Sequence, residues 1–141
     1  HFLFLTRRLV GPLHGLAASA AFPESGRSER AINAKLLAGD VPVTLTGGVG
    51  ITDKDDHNIW TLTGENGAVR LRDWSIAERR QTDGSWQATP DALPNEKARP
   101  LALKRQLEGV VAMARGEPHH LATLQEALEV QAIVETMLQG R

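Results

Sequence analysis

The chain contains no cysteine. Disulfides, thiolate metal sites and cysteine nucleophiles are excluded together, and the absence fits a reducing compartment. No apolar run approaches the ~20 residues that cross a bilayer. The opening "HFLFL" is followed by its arginines, the reverse of a secretory signal. No membrane partner is expected, and a cytoplasmic location is. Net charge is missing as well: 16 Lys and Arg against 17 Asp and Glu leave −1. No global field therefore recruits nucleic acid, and Arg7-Arg8 and Arg79-Arg80 read as isolated, solvated pairs. Nor is there an initiating methionine; from His1 the chain reads as the interior of a longer protein.

What is present is ordinary for a globular protein: 141 residues, 41% hydrophobic and 23% charged, enough for one domain with a buried core. "HFLFLTRRLVG" places Phe2, Leu5, Leu9 and Val10 at helical spacing before a Gly11-Pro12 stop. "LHGLAASAAF" reads as a small-residue strand and "PESGRSER" as a polar loop. The period then changes to two. Val41, Val43 and Leu45 alternate with Pro42, Thr44 and Thr46, and Pro42 puts that strand at an edge or start. Asn66-Gly67 predicts a tight turn with positive φ, and Asp83-Gly84 a second one. Trp60, Trp74 and Trp86 fall in consecutive expected strands.

Two helices close the chain. Leu103, Leu107, Val110, Val111 and Ala114 form the apolar stripe of the first. Pro100 limits where it starts, and Arg115-Gly116 ends it. Thr123-Leu124-Gln125-Glu126 matches a capping box for the second. Its buried side is expected from Leu124, Leu128, Val130, Ile133, Val134 and Met137, with Gly140 at its end. His119-His120 then falls in the connector begun by Pro118. Adjacent residues of an extended segment point opposite ways, so the pair reads as a joint and not as a metal chelate.

Other motifs also favour plain readings. Gly47, Gly48 and Gly50 lack the third glycine of a dinucleotide fingerprint and the Lys-Ser/Thr of a P-loop, which leaves a glycine-rich bend. "DKDDHN", residues 53–58, lacks the alternation, glycine and distal glutamate of a calcium loop. No metal site is expected, and no nucleophile elbow appears.

By residue pattern alone the class is α+β: a helix, a mainly antiparallel sheet, and two helices across one face. "HFLFLTRRLVG" and "LEGVVAMARGEPHHLATLQEALEVQAIVETML" further resemble the glucose-fructose oxidoreductase, inositol dehydrogenase and rhizopine catabolism group of NAD(P)-dependent oxidoreductases. In that group the first segment reads H-x-x-D-x-x-x-x-L-x-G. The second pairs an apolar helix with a G-x-P connector, a Ser/Thr cap and an acidic-Ala start; Gly116, Pro118, Thr123 and Glu126-Ala127 stand at those positions. The resemblance implies that residues 1–141 are the C-terminal substrate-binding and oligomerisation domain, an open sheet of the dihydrodipicolinate reductase-like kind. NAD or NADP would be bound mainly by a Rossmann domain absent from this chain, so the isolated chain is expected to hold no cofactor and to be inactive. A sugar, polyol or related hydroxy compound is the implied substrate. His1 matches the group's general base, while Phe4 replaces its aspartate. A homo-oligomer through the open sheet face is expected. A non-catalytic binding or dimerisation module, like the group's regulatory relatives, is the alternative.

Overall fold

The computed structural model describes residues 1–50 and 57–140. Its elements are α1 (Phe2–Leu9), β1 (Leu13–Ala21), β2 (Ala31–Ala38), β3 (Val41–Gly48), β4 (Ile59–Gly64), β5 (Gly67–Arg72), β6 (Ile76–Arg80), β7 (Trp86–Ala88), α2 (Asn95–Ala114) and α3 (Leu124–Leu138). The class is α+β, as the residue pattern implies. In place of one sheet there are two, both antiparallel: three strands in the order β1-β2-β3, and four in the order β4-β5-β6-β7. Each strand pairs with its neighbour in sequence, and the described ladder stops between β3 and β4. The chain divides into two compact units. Unit 1 comprises His1–Asp53 and Ala122–Arg141, and unit 2 comprises Lys54–Leu121.

Unit 1 is built around β2, an element the sequence pattern did not single out. Ile32, Ala34 and Leu36 share a sheet face with Val43 and Leu45 across the β3 ladder, and that face meets the helices. Leu3, Ala34, Leu36 and Met137 form the buried cluster, flanked by Val130, Ile133 and Val134 of α3. The opposite face carries Asn33, Lys35, Thr44 and Thr46 with Leu37 and Pro42, since these are the register partners in the alternate positions. β3 is an edge of this sheet, which accommodates Pro42.

The helices of unit 1 turn differently from the expected stripes. On α1 the buried residues are Leu3 and Thr6, whose hydroxyl donates to the Phe2 carbonyl at 2.8 Å. Leu9 is exposed. On α3 the buried side runs through Val130, Ile133, Val134 and Met137, and at 100° per residue its N-terminal continuation is Glu126. Leu124 and Leu128 lie off that line and are exposed.

Unit 2 is a hairpin meander followed by α2. The turn between β4 and β5 is Glu65-Asn66, one residue earlier than expected, because Gly64 pairs with Gly67. Positive φ falls on Gly67 alone, at 123°. The Asp83-Gly84 turn forms as expected: Gly84 has φ 85°, and the Asp83 carboxylate accepts from the Ser85 amide at 2.8 Å. Trp74 is not in a strand. It follows Asp73 in the turn after β5, and both residues take left-handed φ, 48° and 69°. The Ser75 amide closes that turn on the Arg72 carbonyl at 3.3 Å. Such φ values match the two central positions of a type I′ turn, which asparagine and glycine normally fill.

α2 starts at Asn95, with Pro94 as N-cap, so Pro100 sits inside it and not in its first turn. A proline there removes one ladder hydrogen bond and crowds the carbonyl four residues back, costing about 3 kcal/mol, and Gly109 costs about 1 kcal/mol more. No residue of α2 is buried. The helix closes as expected at Gly116, φ 69°. The Glu117 amide reaches the Ala112 carbonyl at 2.9 Å and the Gly116 amide reaches Met113 at 3.0 Å, the two bonds of a Schellman motif.

Candidate functional site

His1 lies at the N-cap of α1 and is exposed; its side chain makes no cap bond, and its carbonyl accepts from the Leu5 amide at 3.0 Å. Phe4, where the resembling group has an aspartate, lies under the Arg8 guanidinium at 4.9 Å. Arg7, half-buried, and Arg8, exposed, are both ion-paired and not the isolated pair that the sequence suggested. Arg8 forms a two-pronged pair with Glu126, its Nε and Nη2 each 3.0 Å from a carboxylate oxygen. Arg7 bridges Glu126 at 3.1 Å and also binds Glu129. These contacts fasten α1 to α3.

Glu126 is the hub of that cluster. Its carboxylate accepts from the Thr123 amide at 2.8 Å, and its own amide donates to the Thr123 hydroxyl at 3.1 Å, completing the capping box. Hydrogen bonds from Arg8 first, then from the Thr123 backbone, hold its carboxyl down to about 2. Glu129 is lowered too, mainly by the Gln125 amide and then by Arg7. Carboxylates so firmly ionised cannot donate protons near neutrality. This cluster positions; it does not transfer.

His119 and His120 fall in the connector between α2 and α3, both exposed, and the His119 Nδ1 accepts from the Leu121 amide at 3.3 Å. Among the described residues no group of three or more His, Asp or Glu side chains is arranged to hold a metal ion. No described helix is long and apolar enough to cross a membrane. Gly47 and Gly48 are strand residues of β3, paired with Ile32 and Ala31. A Cβ at Gly47 would lie 3.2 Å from the Ile32 methyl, so packing against Ile32 accounts for that glycine. Of the 53–58 segment only His57, exposed, and Asn58 are described; residues 53–56 lie outside the described residues.

The densest polar group in unit 2 escaped the sequence reading. Register sets Arg70 opposite Glu78 and Arg72 opposite Ile76, so both guanidiniums share a face with the carboxylate. Glu78 is 6% exposed. It accepts from Arg70 Nε and from Arg72 Nε and Nη2, the latter two at 3.3 and 3.2 Å. Arg72 Nη1 also binds Asp73 at 3.0 Å. Arg70 stacks over the Trp86 ring at 4.3 Å. Arg70, ahead of Arg72, keeps the Glu78 carboxyl below its usual range against the opposing effect of burial. Two guanidiniums balance two carboxylates, so the group is a fixed, neutral scaffold. Beside it, the Ser75 hydroxyl is buried without a hydrogen-bond partner.

The third feature is apolar. Leu103, Leu107, Val110 and Val111 of α2 are 44–58% exposed. A groove of about 640 Å³ is lined by Leu103, Leu107 and Val111 between Pro100 and Glu117. The stripe expected from the spacing exists, and its large side chains are exposed. No family model matches the sequence, and neither the curated proteins nor the solved structures contain a match.

Proposed function

We propose that the chain is the substrate-recognition and self-association part of an NAD(P)-dependent oxidoreductase of the glucose-fructose oxidoreductase, inositol dehydrogenase and rhizopine catabolism group. Its substrate class is a sugar, polyol or related hydroxy compound. The observation that carries this reading is the α2–α3 joint. Gly116 takes the left-handed conformation, and Thr123 and Glu126 cap each other, at the positions where the likeness to that group is strongest. In the proposal His1 accepts the proton of the substrate hydroxyl, a role that suits imidazole because its pKa lies near neutrality. The chain's own glycines do not form a dinucleotide cradle, since Gly47 and Gly48 sit within a strand and open no helix. The nicotinamide is therefore assigned to another part of the parent protein.

The test uses the parent protein with a panel of sugars and polyols and either dinucleotide. His1→Ala is expected to lower kcat roughly 10²–10⁴-fold, with dinucleotide affinity unchanged. Undiminished turnover would overturn the role of His1, and no turnover by the parent with any substrate would overturn the oxidoreductase reading. NAD and NADP should leave the melting temperature of the isolated chain where it is, since only a ligand of the folded form raises it.

A second reading, a non-catalytic binding or dimerisation module, is favoured by a separate observation. The whole apolar stripe of α2 is turned to solvent, as a surface built to be covered would be.

A further inference from the structure

Two turns of unit 2 set a carboxamide or carboxyl side chain directly ahead of a glycine, Asn66 before Gly67 and Asp83 before Gly84. That order carries a chemistry of its own. The backbone nitrogen that follows an asparagine can attack the side-chain Cγ and close a five-membered ring. Glycine leaves the approach open because it has no Cβ. The other three asparagines, Asn33, Asn58 and Asn95, precede Ala34, Ile59 and Glu96, whose Cβ atoms crowd it.

The two turns hold the attacked group differently. Asp83 is occupied: its Oδ1 accepts from the Ser85 amide at 2.8 Å and from the Ser85 hydroxyl at 2.6 Å. Those bonds keep its carboxyl below the usual range and ionised, and a carboxylate anion repels a nucleophile. Asn66 is exposed, and its carboxamide has no hydrogen-bond partner among the described residues. A Cβ built on Gly67 would meet nothing within 4 Å, so the space beside the attacking nitrogen is open as well. The nitrogen itself has one tie. The Asp73 amide donates to the Asn58 carbonyl at 2.8 Å, and bonded pairs alternate along the β4–β5 register from there. The Gly67 amide is therefore turned towards the Gly64 carbonyl, in the last pair of the ladder. A terminal pair among exposed residues opens far more readily than the middle of a sheet.

We propose that Asn66 is a site of self-modification, converted to isoaspartate or aspartate through a ring formed with Gly67. The Gly67 nitrogen bonds to Asn66 Cγ, the bond from Cγ to the amide nitrogen breaks, and ammonia leaves with the proton that the attacking nitrogen gives up through solvent. Water then adds across either ring carbonyl and opens the succinimide, so one water is consumed and nothing is oxidised or reduced. Opening to isoaspartate routes the chain through the side-chain carbon. One extra backbone atom then enters a two-residue turn, and a new carboxylate stands beside Glu65. The β4–β5 ladder begins at the foot of that turn, so unit 2 loosens as the chain ages. The proposal does not depend on the oxidoreductase chemistry.

The purified chain, aged in neutral to mildly alkaline buffer, should exchange an amide for an acid at Asn66 by peptide mass spectrometry. A protein isoaspartate methyltransferase should label the same peptide. The rate should rise with pH, since the nitrogen attacks without its proton. In the folded chain it should be about fivefold below the rate in guanidinium chloride, the cost of opening one hydrogen-bonded pair. The Asp83 peptide should stay unlabelled over the same period. Aged chain should unfold at lower urea by tryptophan emission, whereas aged Asn66→Ser should unfold where fresh Asn66→Ser does. A folded-state rate about a hundredfold or more below the denatured one would mean that the Gly64 carbonyl holds the nitrogen fast, and would overturn the proposal. Labelling at Asp83 as fast as at Asn66 would overturn the distinction between the held and the open side chain. Labelled chain with an unaltered urea transition would overturn the loosening of unit 2. None of these readouts involves a dinucleotide, so their failure is distinct from failure of the oxidoreductase reading.

Discussion

Unit 1 and unit 2 are held together by different kinds of interaction. Unit 1 encloses Leu3, Ala34, Leu36 and Met137, and its Arg7–Arg8–Glu126 ion-pair cluster lies where α1 meets α3. In unit 2 the buried residues are Ala68 and Glu78. Its centre is therefore an ionised carboxylate between two arginines, while Leu103, Leu107, Val110 and Val111 face solvent. Burial of aliphatic groups supplies stability without a counterpart, whereas a buried carboxylate is tolerable only while its partners stay in place. Unit 1 can rest on its own core; unit 2 depends on a fixed polar network.

This contrast can be read out separately because Trp60, Trp74 and Trp86 all belong to unit 2. Tryptophan emission follows unit 2, and far-ultraviolet circular dichroism follows both. The largest effect is expected from Leu36→Ala, which empties the one large side chain that is fully buried among the described residues. It should destabilise unit 1 by about 2–5 kcal/mol, moving the dichroism transition in urea ahead of the emission transition. If both move together, the two units unfold as one body and the contrast is lost. Glu78→Gln comes next. It strands Arg70 and Arg72, both partly exposed, and should cost about 1–3 kcal/mol, with an emission change from Trp86 under Arg70. A silent Glu78→Gln would mean that the network does not hold unit 2.

Smaller changes sharpen the picture of unit 1. Thr123→Ala removes the cap of α3 and should cost about 1 kcal/mol in the dichroism transition alone. The weakest effect is acid sensitivity. Glu126 has a carboxyl lowered from 4.5 to about 2. Its contribution to unit 1 is complete above the unfolded value and fades as pH falls from 4.5 towards 2, because the folded state then resists a proton that the unfolded state accepts. Melting temperatures of unit 1 should fall across that window, and Glu126→Gln should flatten the slope. An unchanged slope would show that Arg8 and Thr123 do not hold the carboxylate in solution.

Much of the fold could be read from local pattern. β1, β3, the Asp83-Gly84 turn, the Gly116 stop and the Thr123–Glu126 box each depend on a few neighbouring residues, and all of them form. β2 was missed because the alternation of Ile32 to Leu36 is short and is set among alanines, Leu37 and other good helix formers that blur its period. The Asp73-Trp74 turn has no glycine to announce its left-handed backbone. The Arg70–Glu78–Arg72 network depends on strand register, which no local spacing encodes. For α2 the period revealed the stripe but could not say which body it faces. For α3 the expected line of burial holds at Val130, Ile133, Val134 and Met137 and fails at Leu124 and Leu128, since Glu126, bound to Arg7 and Arg8, occupies the place where an aliphatic residue was expected. His1 was singled out by likeness alone; in the structure it is the exposed N-cap residue of α1.

Unit 2 is spliced into unit 1 at one place, with α1 on one side of the insertion and α3 on the other. Tension applied through α1 and α3 acts first on the Arg7, Arg8 and Glu126 clasp and on the seam between α3 and β1. Unit 2 bears no load until those contacts part. In a stretching experiment the clasp would act as a fuse, and the inserted meander would lengthen only after it had opened.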